Sequence, residues 1–244
     1  PKDEIIEIEE PTVPAKDLYA TQKEIGFTNS LDDILTNEYN QIEYAFEDKV
    51  LMSSPDGRVP LLTAKVTGKS VVLDGHHRWS LAFMINPDAN LATTEMQMPT
   101  GATDEDALKI MQLAIAAKAG KLGSKAAPKP DLMTVSTQFV KDYIIENIQQ
   151  EGIDAFAQFA PKELGLTTKE AIAEHIGEAH KTIKTRKGDF ERPIMPQAGG
   201  AGTDQDTVNN LLKKGQINFD KPSAADTKGK KEEGRISLKS LLGR

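Results

Sequence analysis

The pattern of apolar and turn residues predicts an α+β fold, followed by a mainly helical region and a flexible polar tail. Three observations carry this. The apolar run Ser70-Val71-Val72-Leu73 meets a tight polar turn, Asp74 to Arg78, and then an apolar-periodic stretch, Trp79 to Ile85, which is the layout of strand, turn and helix. Upstream, Val59 to Val66 has strand composition, and Thr67-Gly68-Lys69 is short enough to fold it back on Val71–Leu73 as a hairpin. Beyond residue 130 helical spacing takes over, and from Pro193 onward glycine and charged residues displace the apolar ones.

Along the chain, residues 1–15 form an acidic arm in which Ile5-Ile6-Glu7-Ile8 suits a short edge strand. A helix is expected from Thr21, with Thr21 as N-cap and Glu24 placed to complete a capping box. A second is expected from Ser30, where Leu31, Ile34 and Leu35 keep helical spacing. The helix after the turn should stop at Asn86, since Pro87 disfavours helical backbone before it. Leu91 to Met98 follows as a strand. Thr103-Asp104-Glu105-Asp106 opens a helix running to Gly120, its carboxylates suited to the positive end of the helix dipole. Residues 121–133 read as a linker from their glycine, lysine and proline. Helices are expected near 134–150 and 167–185, with a short one at 152–157. The expected organisation is therefore an arm at 1–15, an α+β domain at 16–120, a linker at 121–133, a helical region at 134–192 and a tail at 193–244. The tail regains apolar character at 235–244, as a docking peptide would.

Bulk properties exclude some classes of function. With 38% hydrophobic residues among 244, part of the chain is expected to stay unburied. A net charge of −7 disfavours non-specific nucleic-acid binding, which runs on phosphate neutralisation. Cysteine is absent, so thiol chemistry and disulfides are excluded. No apolar run approaches the roughly 20 residues that cross a bilayer, so no membrane partner is expected. The acidic start lacks the apolar stretch of a signal peptide. A soluble protein is expected, in the cytoplasm or carried in a particle that came from a cell.

The chemistry concentrates in Asp74-Gly75-His76-His77-Arg78. A glycine at the mouth of a helix lets a ligand approach the backbone closely, and the helix N-terminus favours an anion. Arg78 can grip two phosphate oxygens as a fork. His76 or His77 can donate to phosphate or shuttle a proton. Asp74 can hold Mg²⁺ or orient a histidine. Carboxylates for a reaction are Glu24, Glu38, Glu43 and Glu47, although Glu43 and Glu47, four apart, also read as a solvated helix face. His175 and His180, five apart, do not share a helix face and read as ordinary surface histidines. Lys181, Lys184, Arg186 and Lys187 form a basic run that reads either as a solvated helix end or as a nucleic-acid contact.

The strand, the Asp-Gly-His-His-Arg turn and the apolar helix resemble the ParB/sulfiredoxin superfamily, above all the ParB-like proteins encoded by tailed bacteriophages. Leu18-Tyr19-Ala20-Thr21-Gln22-Lys23-Glu24 is similar to an early Pro-Thr-Gln-x-Glu element of that group, with Ala20 where proline is usual, and precedes the turn by about fifty residues. The resemblance spans about residues 5–118. It implies a small mixed sheet with a nucleotide-phosphate site made by Gly75, His76, His77, Arg78 and Gln22. Asp74 is implied as metal ligand, and His76, His77, Asp74 and Glu24 as candidate catalytic groups. The implied cofactors are Mg²⁺ and a nucleoside triphosphate, ATP or CTP. The implied partners are a nucleotide, DNA, and phage or other assembly proteins reached through 193–244. The implied location is the host cytoplasm or the virion. Sulfinic-acid reduction is excluded, because sulfiredoxins need a cysteine in this turn. Phosphoryl transfer, NTP hydrolysis and phosphodiester cleavage all remain open, as does a non-catalytic role in a particle or nucleoprotein assembly. DNA partition is a further reading, against which the acidic charge counts.

Overall fold

The computed structural model describes residues 5–22, 24–36, 38–47, 60–66, 68–98, 130–187 and 235–237, the first three and last three of these by backbone alone. The helix expected at 103–120, most of the linker and most of the tail lie outside the described residues.

Strands β1 (Ile5–Glu9) and β2 (Thr12–Pro14) come first. Both run antiparallel to one later strand, Asn90–Gln97. Between them Pro11 turns the chain, and its carbonyl accepts from the backbone N–H of Thr93 at 3.0 Å. A 3₁₀ turn at Ala15–Asp17 leads into β3 (Leu18–Ala20). The helix expected from Thr21 does not form: residues 21, 22, 24 and 25 are irregular. Thr21 finds a tertiary acceptor instead of capping a helix, its Oγ1 donating to the Val72 carbonyl at 2.6 Å. The capping box with Glu24 is therefore absent.

Helices α1 (Thr28–Thr36) and α2 (Asn40–Phe46) follow, and α1 buries Leu31, Ile34 and Leu35, as their spacing requires. The hairpin forms as β4 (Leu61–Val66) and β5 (Lys69–Asp74), with Val66 opposite Lys69. Gly68, at φ 81°, supplies the left-handed step that a two-residue hairpin turn needs. Helix α3 (His76–Ile85) ends at Asn86, whose extended backbone answers the proline after it. Strand β6 (Asn90–Gln97) completes the first half.

After residue 130 come α4 (Thr137–Asn147), α5 (Gln150–Phe159) and α6 (Lys169–Ile183). Ser136 and Thr168 cap α4 and α6 by accepting from the N–H groups of Phe139 and Ala171. Helices α4 and α6 pack closely at Gly177, where a Cβ would lie 2.5 Å from Lys141 Cε. Last, Arg235–Ser237 forms β7.

The sheet order is β3-β5-β4-β6-β1-β7, with β2 also on β6. β3 runs parallel to β5 and β4 to β6, while the remaining pairs are antiparallel, so the sheet is mixed. The strand expected at the sheet edge, β1, lies inside it, between β6 and β7.

Helix α3 is apolar nearly all round and buried from Trp79 to Ile85, so it forms the centre of the molecule rather than a surface layer. One apolar cluster takes in Leu18, Leu61, Val72 and Leu91 from the sheet, Trp79 and Phe83 from α3, and Val140, Phe156 and Ile176 from α4–α6. Each large side chain so buried is worth about 1.5–3 kcal/mol relative to exposure. The end of the expected linker belongs to this packing, since Asp131, Leu132 and Met133 are buried. Among the described residues no helix is long and apolar enough to cross a membrane.

Two histidines depart from the surface expectation. His180 is fully buried: its Nε2–H donates to the Leu132 carbonyl at 2.9 Å, and its Nδ1 accepts from Thr137 Oγ1 at 3.2 Å. His175 is half-buried and donates from Nε2 to the Ile85 carbonyl at 2.7 Å.

Candidate phosphate site

The last residues of β5 leave regular pairing before the turn begins. Val72 lies opposite Thr63, yet Asp74 lies opposite Leu62, so the register shifts by one residue at Leu73. A bulge of this kind re-aims the residue that follows it, and here that residue is the half-buried Asp74.

Gly75 comes next, at φ 98° and ψ 24°, as the N-cap of α3. It lacks a side chain that could cap the helix, and the first intrahelical bond runs from the Trp79 N–H to its carbonyl at 3.0 Å. A Cβ at position 75 would lie 2.2 Å from Leu61 Cδ2, 2.9 Å from Arg78 Nη2 and 3.3 Å from Arg78 Nε. The left-handed backbone and the occupied space both require glycine. The same distances show that the Arg78 guanidinium folds back over Gly75. A cation therefore sits beside the positive end of the α3 dipole, a combination that favours an anion between them.

His76, 3% exposed, turns inward. Its Nε2 accepts from the backbone N–H groups of Thr21 and Gln22, each at 3.2 Å. An acceptor nitrogen carries no proton, so the neutral ring holds its proton on Nδ1. This histidine clamps the irregular segment after β3 to the start of α3, and so brings Gln22 to the turn from far along the chain. His77 is half-buried, and its carbonyl accepts from Ser80 Oγ at 2.9 Å. Glu24 is half-buried just ahead of Ile25, whose N–H donates to Asp131 Oδ1 at 2.8 Å and whose carbonyl accepts from the Leu132 N–H at 2.7 Å. The described contacts thus gather Gln22, Gly75, His76 and Arg78, with Asp74 and His77 beside them in the chain. Glu43 is half-buried in α2 and Glu47 is exposed at its end.

Three supporting features had no signal in the sequence. Asp131 carries linker composition around it, yet its Oδ1 takes the N–H groups of both Ile25 and Met133. Thr21 looked like a helix cap. Arg186 donates from Nη1 to Tyr19 Oη at 3.0 Å, and its backbone carbonyl accepts from the Ala20 N–H at 2.8 Å. The basic run is therefore only partly a solvated helix end. Lys184 Nζ donates to the Val135 carbonyl at 2.7 Å and Arg186 is half-buried, while Lys181 pairs with Glu178 and Lys187 is exposed.

Among the described residues no group of three or more histidine, aspartate or glutamate side chains is placed to hold a metal ion. Mg²⁺ is commonly held by one or two carboxylates together with substrate phosphates, and the half-buried Asp74 is the carboxylate that directly precedes Gly75. Comparison with family models, with curated proteins and with solved structures gives no match for this chain.

Proposed function

We propose that this protein is a ParB-like nucleotide-binding protein whose Asp74–Arg78 turn takes the phosphates of a nucleoside triphosphate and supports phosphoryl transfer or phosphodiester cleavage. The observation that carries the proposal is the Arg78 guanidinium folded over a left-handed glycine at the N-terminus of α3. The family likeness of the turn and of the Thr21–Glu24 segment adds to it.

In this reading Gly75 lets a phosphate approach the backbone, and Arg78 neutralises charge that develops during transfer. Gln22, held beside the turn by His76, adds a polar contact. The Nε2 of His76 is committed to two amide donors, so His76 positions the site and His77 takes the acid–base role. Asp74 shares the Mg²⁺ that arrives with the nucleotide. Glu24 is the candidate to activate water or the attacking hydroxyl.

Calorimetric titration of ATP, CTP and ADP with Mg²⁺ tests this. Micromolar binding to the wild type is expected, weakened on the order of a hundredfold in Arg78→Ala, which loses charge-assisted bonds worth about 1.5–3 kcal/mol each. An unchanged circular-dichroism spectrum would show that the variant is folded. Absence of binding to the wild type overturns the reading, and equal binding by both proteins moves the site elsewhere.

A second reading, a non-catalytic protein of a phage particle or nucleoprotein assembly, draws support from the pairing of the C-terminal β7 with β1. Such a protein would bind no nucleotide in the same titration.

A further inference from the structure

The basic run at the end of α6 ties the helical region to the outer edge of the sheet. β3 is the last strand on that side, and residues 186–187 lie along it. The Arg186 carbonyl accepts from the Ala20 N–H at 2.8 Å, and Lys187 forms a parallel bridge with Ala20. Arg186 is held a second time through its side chain. Its Nη1 donates to Tyr19 Oη at 3.0 Å, and the guanidinium lies over the Tyr19 ring, 5.4 Å from its centroid. The residue before Lys187 is thus fixed by backbone and side chain together.

Three of the basic residues in this run are committed. Lys181 pairs with Glu178, Lys184 donates to the Val135 carbonyl, and Arg186 donates to Tyr19. Lys187 is exposed, and its ammonium has no partner among the described residues. Side chains alternate along paired segments. Tyr19 and Arg186 share one face of the sheet, so Ala20 and Lys187 belong to the other. Ala20 is part of the apolar cluster built around α3, so Lys187 stands at the border of the face that α3 covers. Ala20 leads directly into Thr21 and Gln22, whose N–H groups donate to His76 Nε2 at the start of α3. With about 4.8 Å between strands and about 3.3 Å per residue along them, the Cα atoms of Lys187 and Gln22 are on the order of 8 Å apart. A lysine side chain and a bound phosphate together span such a gap.

Building on nucleotide binding at the Asp74–Arg78 turn, we propose that Lys187 is a further phosphate ligand, which makes the site selective for long phosphate chains. The phosphate chain leaves Gly75 and Arg78, passes Gln22 and ends against the Lys187 ammonium. A single phosphate held at the turn does not extend that far, so Lys187 acts on a triphosphate and not on a monophosphate. Lysine suits this place because it is a compact point charge on a flexible stem, and needs no fixed fork geometry to hold a phosphate oxygen. Arg186 and Tyr19 are positioning residues: they touch no phosphate and fix the backbone from which Lys187 projects.

The test is calorimetric titration of ATP, ADP and AMP with Mg²⁺ into full-length wild type, Lys187→Ala, Lys187→Arg and Lys181→Ala. Lys187→Ala is expected to bind ATP about tenfold more weakly than wild type, the scale of one lost charge-assisted contact, with its affinity for AMP unchanged. Lys187→Arg keeps the charge and should retain most of the ATP affinity. Lys181→Ala removes a charge of the same run that is already paired with Glu178, and should leave ATP binding as it is. Wild-type affinity for ATP in Lys187→Ala overturns the inference and leaves the turn intact as the phosphate site. Equal losses for ATP and AMP, or an equal loss in Lys181→Ala, also overturn it, since either reports net charge rather than a contact. A wild type that binds no nucleotide overturns the reading of the turn itself, and this inference with it.

Discussion

Gly75 is where backbone conformation, packing and the candidate chemistry meet. Its φ of 98° and the 2.2 Å left between an added Cβ and Leu61 act together against any side chain. Gly68 offers a control, since it is also left-handed, at φ 81°, but its Cβ would meet nothing within 4 Å. Gly68→Ala is expected to cost about 1 kcal/mol, the conformational penalty alone. Gly75→Ala should cost about 2–4 kcal/mol, because overpacking against Leu61 adds to it. Urea denaturation of both variants checks this, and equal losses would contradict the packing described at the turn. The residue types of this turn were legible in the sequence, because a left-handed glycine beside histidines and an arginine limits what the backbone can do. The inward role of His76 was not legible, because its two amide donors lie more than fifty residues away. Thr21 misled for the same reason: a hydroxyl that suits a local cap took the Val72 carbonyl instead.

At the scale of elements, periodicity was a sound guide wherever one face of a helix is buried, as in α1 and in α4–α6. It gave no sign that His180 of α6 is buried, because histidine reads as polar and yet here faces the interior. Burial, together with the nearby Lys184 charge, holds the His180 imidazole below its ordinary value, despite the opposing hydrogen bond to Leu132. The sign follows directly. The unfolded chain binds this proton more readily, so the stability tied to neutral His180 is complete above about pH 6.5. It is lost as pH falls below that value through the lowered folded-state range. Stability measured by chemical denaturation at about pH 7.5 and about pH 5.5 should fall more steeply in the wild type than in His180→Gln, which keeps a donor for the Leu132 carbonyl but cannot titrate. Identical slopes would contradict the buried neutral assignment. Helix α4 is tied to α1 by a second polar contact, Tyr143 Oη donating to Asp32 Oδ1 at 2.7 Å. Burial and that carboxylate push the phenol up to about 12.

Over the whole molecule, the halves that composition separates share one apolar cluster. Polar contacts follow the same path. His180 of α6 holds the Leu132 carbonyl, the Leu132 N–H holds Ile25, and His76 holds Thr21 and Gln22. The helical region thus buttresses the segment that carries Gln22 to the turn. Composition marked residues 121–133 as a linker because glycine, lysine and proline dominate there, while the few residues that anchor it, Asp131 to Met133, are a minority with no periodic signature. The proposed function turns on phosphate binding at the start of α3. Amide chemical shifts of the isotopically labelled full-length protein, followed through titration with ATP or CTP and Mg²⁺, test it most directly. Saturating shifts are expected, largest at Gly75, His77, Arg78 and Gln22. Unchanged spectra, or shifts confined to residues away from this turn, would contradict it.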